Sequence, residues 1–217
     1  MSSKSVDGVI FDFGGVISSV GRPDEMISRF EGADRDTVLR IFTGVPGTDT
    51  DHPFHRLERG EITFTEFGDY LKTAIRDAGL VPVDRPAETR PSNGPIAVNF
   101  TPNQPVIDLI DDLRSAGLRL GVLTNNIREL RSSWRTLMDF DRVFHDVVDS
   151  SEVGLRKPDP RVYRLAAQRL GTDPTRTAFL DDLQHNVDGA TAVGMIAFRV
   201  DVDPAPAVAA VRHLCGL

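Results

Sequence analysis

The amino-acid sequence predicts an α/β protein with a core built on a doubly wound, Rossmann-like parallel sheet and a cap made of inserted helices. Beyond residue 104, short apolar runs alternate regularly with amphipathic helical segments, which is the pattern of strands and crossover helices. An apolar run at 9–13 predicts a further strand of the same sheet. Between that run and a proline-rich stretch, the periodicity is helical and no strand intervenes.

The first half of the chain contains one predicted strand, at 9–13, which is followed by three predicted helices. Their apolar periods place these helices at 25–30, 36–42 and 64–78. Thr63 and Glu66 predict a capping box at the start of the third helix, and Gly79 predicts its end. Closely spaced prolines at 82–105 then predict a long loop or linker.

The second half of the chain predicts the alternating part of the core. The predicted order is helix 105–116, strand 120–123, helix 127–138, strand 146–148, helix 160–170, strand 177–180, helix 184–193, strand 196–200 and a helix from about 204. Asp159 predicts the N-cap of the 160–170 helix, and Gly171 predicts its end. We therefore interpret residues 1–15 and 101–217 as the core, and residues 16–100 as the helical cap with its proline-rich linker.

Composition excludes several classes of protein. The 217 residues are 40% apolar and 26% charged, which indicates an ordinary globular protein. Acidic residues outnumber basic residues by 32 to 25, and the net charge of -7 argues against a nucleic-acid partner. The single cysteine, Cys215, excludes an internal disulfide and favours a reducing compartment. No apolar run is long enough for a signal-peptide core or a membrane span, so we expect a cytoplasmic protein with no membrane partner.

Polar side chains follow the predicted strands at the points where these strands end. Asp12 follows the first strand, Thr124 the next, and Asp181 with Asp182 a later one, while Lys157 is reached by a loop. Because ligands of doubly wound sheets bind outside the carboxyl ends of the strands, we expect these groups to share one crevice. An Asp at a strand end more often caps a helix or closes a turn, so each residue alone is weak support.

Three carboxylates in one crevice predict a bound cation. They would repel each other and raise each other's pKa values unless a cation neutralised them, and hard oxygen ligands suit Mg²⁺. Such an ion keeps coordination positions for a phosphate, and Lys157 and the Thr124 hydroxyl would meet its remaining charge. The pattern therefore favours phosphate chemistry.

Four motifs in chain order resemble those of the haloacid dehalogenase superfamily. They read DFGGV at 12–16, LTN at 123–125, KPDP at 157–160 and FLDD at 179–182. The segments FHRLERGEI at 54–62 and NVDGA at 186–190 are similar to the subgroup that contains the phosphatase domain of soluble epoxide hydrolase and bacterial α-glucose-1-phosphate phosphatases. The resemblance implies a hydrolase with a helical cap that acts on a small phosphorylated metabolite.

The resemblance also implies roles for the metal ligands and the nucleophile. Asp12 is expected to take the phosphoryl group and to bind Mg²⁺, and the backbone carbonyl of Gly14 is expected to be a further ligand. Asp182 matches the principal acidic ligand because it stands four residues before Asn186. Asp181 is then expected to support the metal site from behind the direct ligands or through a water.

The phosphate is expected to be held by the remaining motif residues. The resemblance implies that Thr124 and Asn125 bind the phosphate oxygens. It implies that Lys157 stabilises both the nucleophile and the transferring charge.

One position departs from the family pattern. Most phosphatases of the family carry a second Asp two residues after the nucleophile, where this chain has Gly14. That Asp protonates the leaving group, and such general acid catalysis is worth about 10²- to 10⁴-fold in rate. Two alternatives stay open: a 2-haloacid dehalogenase, which needs neither the acid nor a metal, and a non-catalytic protein that keeps the fold.

Other polar residues have weaker signals. Arg128, Arg131 and Arg135 are spaced to share one helix face, where solvation is the ordinary expectation. Glu58 could line the inner face of the cap, although solvation at a helix end is again the default. His185 is interpreted as an entry-turn residue of the helix at 184–193.

Overall fold

A five-stranded parallel sheet forms the core of the computed structural model, which describes residues 6–19, 27–83 and 100–217. The strands are β1 (Gly8–Phe11), β2 (Ser18–Ser19), β3 (Thr101–Pro102), β4 (Arg119–Thr124), β5 (Asp146–Asp149), β6 (Thr177–Asp181) and β7 (Ile196–Arg199). Their order in the main sheet is β5-β4-β1-β6-β7. All neighbouring strands of this sheet run parallel.

Helices follow one another before β3 and alternate with strands after it. In chain order they are α1 (Arg35–Thr43), α2 (Pro53–Glu58), α3 (Phe64–Asp77), α4 (Gln104–Ser115), α5 (Arg131–Trp134), α6 (Phe140–Val143), α7 (Ser150–Val153), α8 (Pro160–Leu170), α9 (Gln184–Ala192) and α10 (Ala205–Cys215). Two short 3₁₀ turns lie at Arg128–Leu130 and Pro174–Arg176. None of the helices within the described ranges is long and apolar enough to cross a membrane.

The central strand, β1, is buried on both faces. Val9 and Phe11 belong to a core layer with α4 and α10, whereas Ile10 belongs to a second layer with α8 and α9. Successive side chains of a strand point to opposite faces, so a strand that reads as continuously apolar needs helices on both sides. The predicted doubly wound α/β fold is therefore confirmed.

The chain changes direction across the sheet at β1. This strand pairs with β4 on one side and with β6 on the other. The strand order thus reverses at this point, which leaves a crevice outside the carboxyl ends of β1, β4 and β6.

The helices before β3 form their own apolar cluster. Leu57 of α2 and Phe67 of α3 pack together with Ile127, which follows β4. The predicted capping box of α3 is confirmed, because Thr63 and Glu66 exchange both hydrogen bonds. β2 and β3 pair antiparallel where the predicted cap begins and ends. The boundaries of the cap at 16–100 stay a prediction.

The predicted helix at 127–138 is wrong in its extent. This segment contains a 3₁₀ turn followed by the four residues of α5, and the chain turns after Trp134. Trp134 is fully buried against the core, and the Thr136 hydroxyl donates to the carbonyl of Ser133 at 2.7 Å. Side-chain bonds of this kind compete with the helical pattern, so the three arginines do not share one long helix face.

The remaining predicted elements from residue 35 onward match the structure within a few residues, and α2, α6 and α7 are additional short helices. The predicted helix at 25–30 begins outside the described residues, and within it Phe30 forms a β-bridge with Pro82. Most of the proline-rich stretch, at 84–99, also lies outside them.

Candidate active site

The predicted site residues meet at one edge of the sheet. Asp12 directly follows β1, and its backbone N–H donates to the carbonyl of Leu180 at 2.8 Å, which extends the pairing with β6. Thr124 is the last residue of β4, and Asp181 is the last residue of β6. All three side chains are buried, so the topology places polar groups in an apolar surrounding where their charges interact strongly.

Lys157 is the ammonium group of this crevice, and its side chain is 1% exposed. Its Nζ lies 2.8 Å from Oδ1 of Asp12 and 2.6 Å from Oδ2 of Asp181. Burial opposes the charged form of Lys157, but the two carboxylates outweigh burial and raise the pKa of Lys157. The lysine is therefore charged and bridges the two aspartates.

The carboxylate of Asp12 is held at one oxygen. The backbone N–H of Phe13 donates to Oδ1 at 2.7 Å, and the ammonium of Lys157 lies on the same oxygen. In the part of the chain that the structure describes, Oδ2 of Asp12 has no hydrogen-bond partner. One oxygen is thus fixed, and the other is available to a ligand.

The two neighbouring aspartates have different surroundings. Asp181 is completely buried and accepts hydrogen bonds from Leu183 N–H at 2.9 Å and from the Asn186 amide at 3.0 Å, in addition to the bond from Lys157. Asp182 is only partly buried, and within the described ranges its carboxylate has no side-chain partner. Burial, with the charge of Asp181 adding, raises the pKa of Asp182 to about 6.

The three carboxylates form a group that fits a hard cation. Oxygens of Asp12, Asp181 and Asp182 lie within 4.8 Å of one another. Burial raises the pKa of Asp12 well above its ordinary value, and the two other carboxylates add to this, although Lys157 opposes them. The Oδ1 atom of Asn186 is also buried and lacks a partner among the described residues. An excess of buried oxygens over cations is the donor set that Mg²⁺ prefers.

The loop after β1 approaches these carboxylates closely. The N–H of Gly15 donates to the carbonyl of Ser18 at 2.7 Å, and the backbone of Gly15 has a φ of 78°. A Cβ on Gly15 would overlap the carboxylate of Asp182, so only glycine fits there. Gly14 is partly buried beside it, and the position two residues after Asp12 therefore offers a backbone carbonyl but no side chain.

The two residues expected to bind phosphate differ in whether their side chains already form hydrogen bonds. The hydroxyl of Thr124 forms no hydrogen bond to the residues that the structure describes. The side chain of Asn125 is committed, because its Oδ1 accepts from Lys157 N–H at 2.8 Å and its Nδ2 donates to the Lys157 carbonyl at 3.0 Å. Asn125 thus holds the backbone of Lys157, and its role in phosphate binding stays a prediction.

Three further residues in the neighbourhood depart from or extend the expectations. Glu58 is not solvated, because it is buried and its Oε2 accepts from Nε of Arg156 at 2.7 Å. His185 lies in the first turn of α9, as expected, and burial lowers its pKa. Arg156 was not a candidate on sequence grounds, and its only signal is that it directly precedes Lys157.

Comparison with known proteins gives a consistent family. The model of the haloacid dehalogenase-like hydrolases matches residues 6–194. Phosphatase MT3486 of Mycobacterium tuberculosis (strain CDC 1551 / Oshkosh) is 30% identical over 98% of this chain and 95% of its own length. Both matches extend over the strands β1 to β6, the crevice residues and the helices that precede β3.

Solved structures share the fold. A protein from Porphyromonas gingivalis, described as a predicted HAD-like family hydrolase, superposes with a TM-score of 0.62 at 25% identity over 95% of this chain and 98% of its own. A HAD family enzyme from Bacteroides thetaiotaomicron, solved as a magnesium complex, has a TM-score of 0.61 at 19% identity over 92% of this chain and 96% of its own. The second likeness concerns the fold alone.

Proposed function

The chain belongs to the haloacid dehalogenase-like hydrolase family, and we propose that it is a magnesium-dependent phosphatase that cleaves small phosphorylated metabolites through a phosphoryl group carried on Asp12. The observation that carries this proposal is the asymmetric environment of the Asp12 carboxylate. Its Oδ1 takes the Phe13 N–H and the Lys157 ammonium, which leaves Oδ2 for attack on phosphorus. A carboxylate that only stabilised the fold would gain from having both oxygens bonded.

The metal would be held by Asp12, Asp182 and the carbonyl of Gly14. Asp181 already accepts bonds from Lys157, Leu183 and Asn186, so it fits a supporting place beside the ion better than a direct one. When bound, Mg²⁺ offsets the charge of the carboxylates and polarises the phosphoryl oxygens.

The chain's own residues account for the rest of the reaction. Oδ2 of Asp12 forms a bond to phosphorus while the bond from phosphorus to the leaving oxygen breaks, and the leaving oxygen takes a proton from water. Lys157 and the Thr124 hydroxyl meet the charge of the phosphoryl oxygens. A water then attacks phosphorus, which releases inorganic phosphate and restores Asp12.

Substitution of the nucleophile tests this proposal. Asp12→Asn has a nearly isosteric side chain that cannot attack phosphorus, so phosphate release from an aryl phosphate with Mg²⁺ should fall by about 10³-fold or more. Acid-quenched wild-type enzyme should carry a phosphoryl adduct on the peptide that contains Asp12, detectable by mass spectrometry. Asp188→Asn, on the exposed side of α9, is the matched control and should keep both signals.

Two results would replace the proposal. Full activity on a 2-halocarboxylate in excess EDTA, with none on phosphate esters, would assign the chain as a dehalogenase. Binding of Mg²⁺ without turnover on any phosphorylated compound of a broad panel would assign a non-catalytic protein.

A further inference from the structure

One residue of the cap, Glu58 at the end of α2, joins the cap to the loops that hold the site. Its side chain accepts from Nε of Arg156 at 2.7 Å, and its backbone carbonyl accepts from the hydroxyl of Ser150 at 2.6 Å. The side chains of Glu58 and Arg156 are 9% and 8% exposed. One contact reaches the first residue of α7, and the other reaches the loop between α7 and α8.

Arg156 takes its further partners from the cap as well. Its Nη1 donates to the carbonyl of Thr48 at 2.6 Å, and the same atom lies 3.8 Å from Oδ1 of Asp49. Asp49 is in turn paired with Arg59. These partners all belong to the cap, so undocking of the cap removes them together and leaves the Arg156 guanidinium without the contacts that fix its position.

Both contacts of Glu58 lead to neighbours of Asn125 and Lys157, whose mutual hydrogen bonds we call the Asn125 clamp. Arg156 precedes Lys157 directly, and the backbone of Lys157 is bonded at both polar atoms to Asn125. The hydroxyl of Ser150 also accepts from the N–H of Asn126 at 3.0 Å. The route through the side chain of Glu58 therefore reaches the residue before the lysine, and the route through its carbonyl reaches the residue after Asn125.

The docked arrangement of this cap segment is close-packed. A Cβ on Gly60 would overlap the carbonyl oxygen of Ser151 and lie 2.7 Å from Nε of Arg128. That arginine donates to the same carbonyl at 3.3 Å. The backbone at Gly60 therefore approaches the core closely, and any side chain at this position would push the segment away from Ser151.

We propose that Glu58 is a positioning residue that makes the placement of Lys157 depend on docking of the cap. Its side chain holds Arg156, which precedes Lys157, and its carbonyl holds the Ser150 hydroxyl, which in turn accepts from Asn126, the residue after Asn125. Asp12 and Asp181 hold the ammonium itself, whereas the backbone of Lys157 is held firmly only while the cap is docked and becomes looser when the cap leaves. The catalytic consequence rests on the proposed phosphatase function, whereas the structural coupling does not.

Hydrogen exchange at the Lys157 amide tests the coupling without reference to activity. In Glu58→Ala, and more weakly in Glu58→Gln, this N–H should exchange at least about tenfold faster, while amides of β1 and β6 are unchanged. Asp69→Asn removes an exposed ion pair with Lys72 on the cap helix α3 and should leave Lys157 at the wild-type rate. Faster exchange confined to the cap, with Lys157 still protected, would show that Glu58 stabilises the cap only and would overturn the proposal.

Steady-state kinetics give the functional arm of the test. Glu58→Ala should lower kcat on the order of 10²-fold with little change in KM. A displaced Lys157 stabilises the transition state less well, whereas its contribution to binding of the ground state is small. Ser150→Ala breaks the second contact and should give a smaller effect of the same kind, which keeps the test available if Glu58→Ala does not fold. Equal kcat in folded Glu58→Ala and Asp69→Asn would refute the positioning role.

The two proposals fail separately. If the wild-type protein hydrolyses no phosphate ester, the proposed function is lost, and the exchange experiment still decides the coupling. If wild type is active but the exchange and kinetics of the Glu58 variants match those of Asp69→Asn, the coupling alone is lost.

Discussion

Two buried clusters of charge lie side by side in this protein, and they differ in whether their charges balance. The crevice cluster consists of Asp12, Asp181, Asp182 and Lys157, with three carboxylates to one ammonium. The cluster between cap and core pairs carboxylates and guanidiniums in equal number. Its inner members are Asp49, Glu58, Arg59 and Arg156, and its exposed members are Glu61 and Arg56.

The difference indicates which cluster is complete by itself. In the cap cluster each charge has an opposite partner in the chain, so its natural role is to hold two parts together. The crevice cluster has more negative than positive charges, and burying the unpaired negative charge costs free energy. A bound cation or a reacting group would supply the missing positive partner. A buried cluster whose charges do not balance is therefore a better indicator of a functional site than buried charge alone.

The largest expected effect concerns the acid that the crevice lacks at Gly14. Glu58 is bonded to Arg156 and is not free to protonate a leaving group, so the leaving oxygen departs with little help. Aryl, acyl or anomeric phosphates should be hydrolysed faster than simple alkyl phosphates by a gap on the order of 10²- to 10⁴-fold. The measurement is kcat/KM against leaving-group pKa, and Gly14→Asp should narrow the gap.

A flat dependence on leaving-group pKa, with chemistry shown to be rate-limiting, would contradict this expectation. Another group would then supply the proton, and His185 and Asp181 are the residues to substitute next. A slope that Glu58→Gln leaves unchanged would support the separation of the two clusters.

The next effect concerns the single ammonium of the crevice. Lys157→Met leaves Asp12 and Asp181 buried without their cation, so the free energy of unfolding should fall by about 3–5 kcal/mol. The value of kcat/KM should fall by about 10²- to 10³-fold. Chemical denaturation and steady-state assays measure the two losses. Lys72→Met, at an exposed pair on α3, is the control, and a similar loss there would mean that the crevice pairing is not special.

The sequence predicted the crevice cluster far better than the cap cluster, for a physical reason. Parallel strands bring the residues at their carboxyl ends to one edge of the sheet. The proximity of Asp12, Thr124 and Asp181 was therefore predictable from their positions at the ends of predicted strands. Glu58 and Arg156 are 98 residues apart, and their pairing depends on how two separately packed helical and sheet layers dock. Local periodicity contains no information on docking.

The sequence also did not predict which hydrogen-bond partners the crevice side chains have. The phosphate role of Asn125 stays a prediction, whereas the bonds of its amide oxygen and nitrogen to the backbone of Lys157 were not predicted. The helix predicted at 127–138 shows the same limit, because the apolar period continues to 138 whereas the helix ends at the buried Trp134.

A smaller effect is expected from Mg²⁺ itself, and it should distinguish the two clusters directly. An ion that binds only the native state stabilises it by about 2.7 kcal/mol at a concentration 100 times its Kd. Thermal unfolding should therefore shift to higher Tm with increasing Mg²⁺. The shift should disappear in Asp182→Asn and persist in Glu58→Gln. If Mg²⁺ shifted the Tm of both variants equally, the ion would bind at a site that does not include Asp182.

The smallest effect is a difference in pH dependence between the two regions. Burial lowers the pKa of His55, which packs in the cap, to about 4, and the charge of Arg156 adds to this. The neutral ring is satisfied, since Nδ1 accepts from Thr50 N–H at 3.1 Å and Nε2 lies 3.0 Å from the carbonyl of Thr43. The unfolded state, with a His pKa of about 6.5, binds the proton more readily than the folded state. This contribution to stability is complete above pH 6.5 and is lost as the pH falls towards 4.

In the crevice the sign is opposite. The pKa of Asp182 is raised to about 6 in the folded protein, so without metal the folded state binds the proton more readily than the unfolded state. That contribution is complete below about pH 4 and is lost as the pH rises through 6. Tm measured in EDTA from pH 4 to 7.5 should therefore rise less steeply with pH in His55→Gln than in wild type, and more steeply in Asp182→Asn. If both variants changed the slope in the same direction, the His55 ring of the cap and the Asp182 carboxylate of the crevice would not act on stability with opposite sign, which would contradict their pKa shifts.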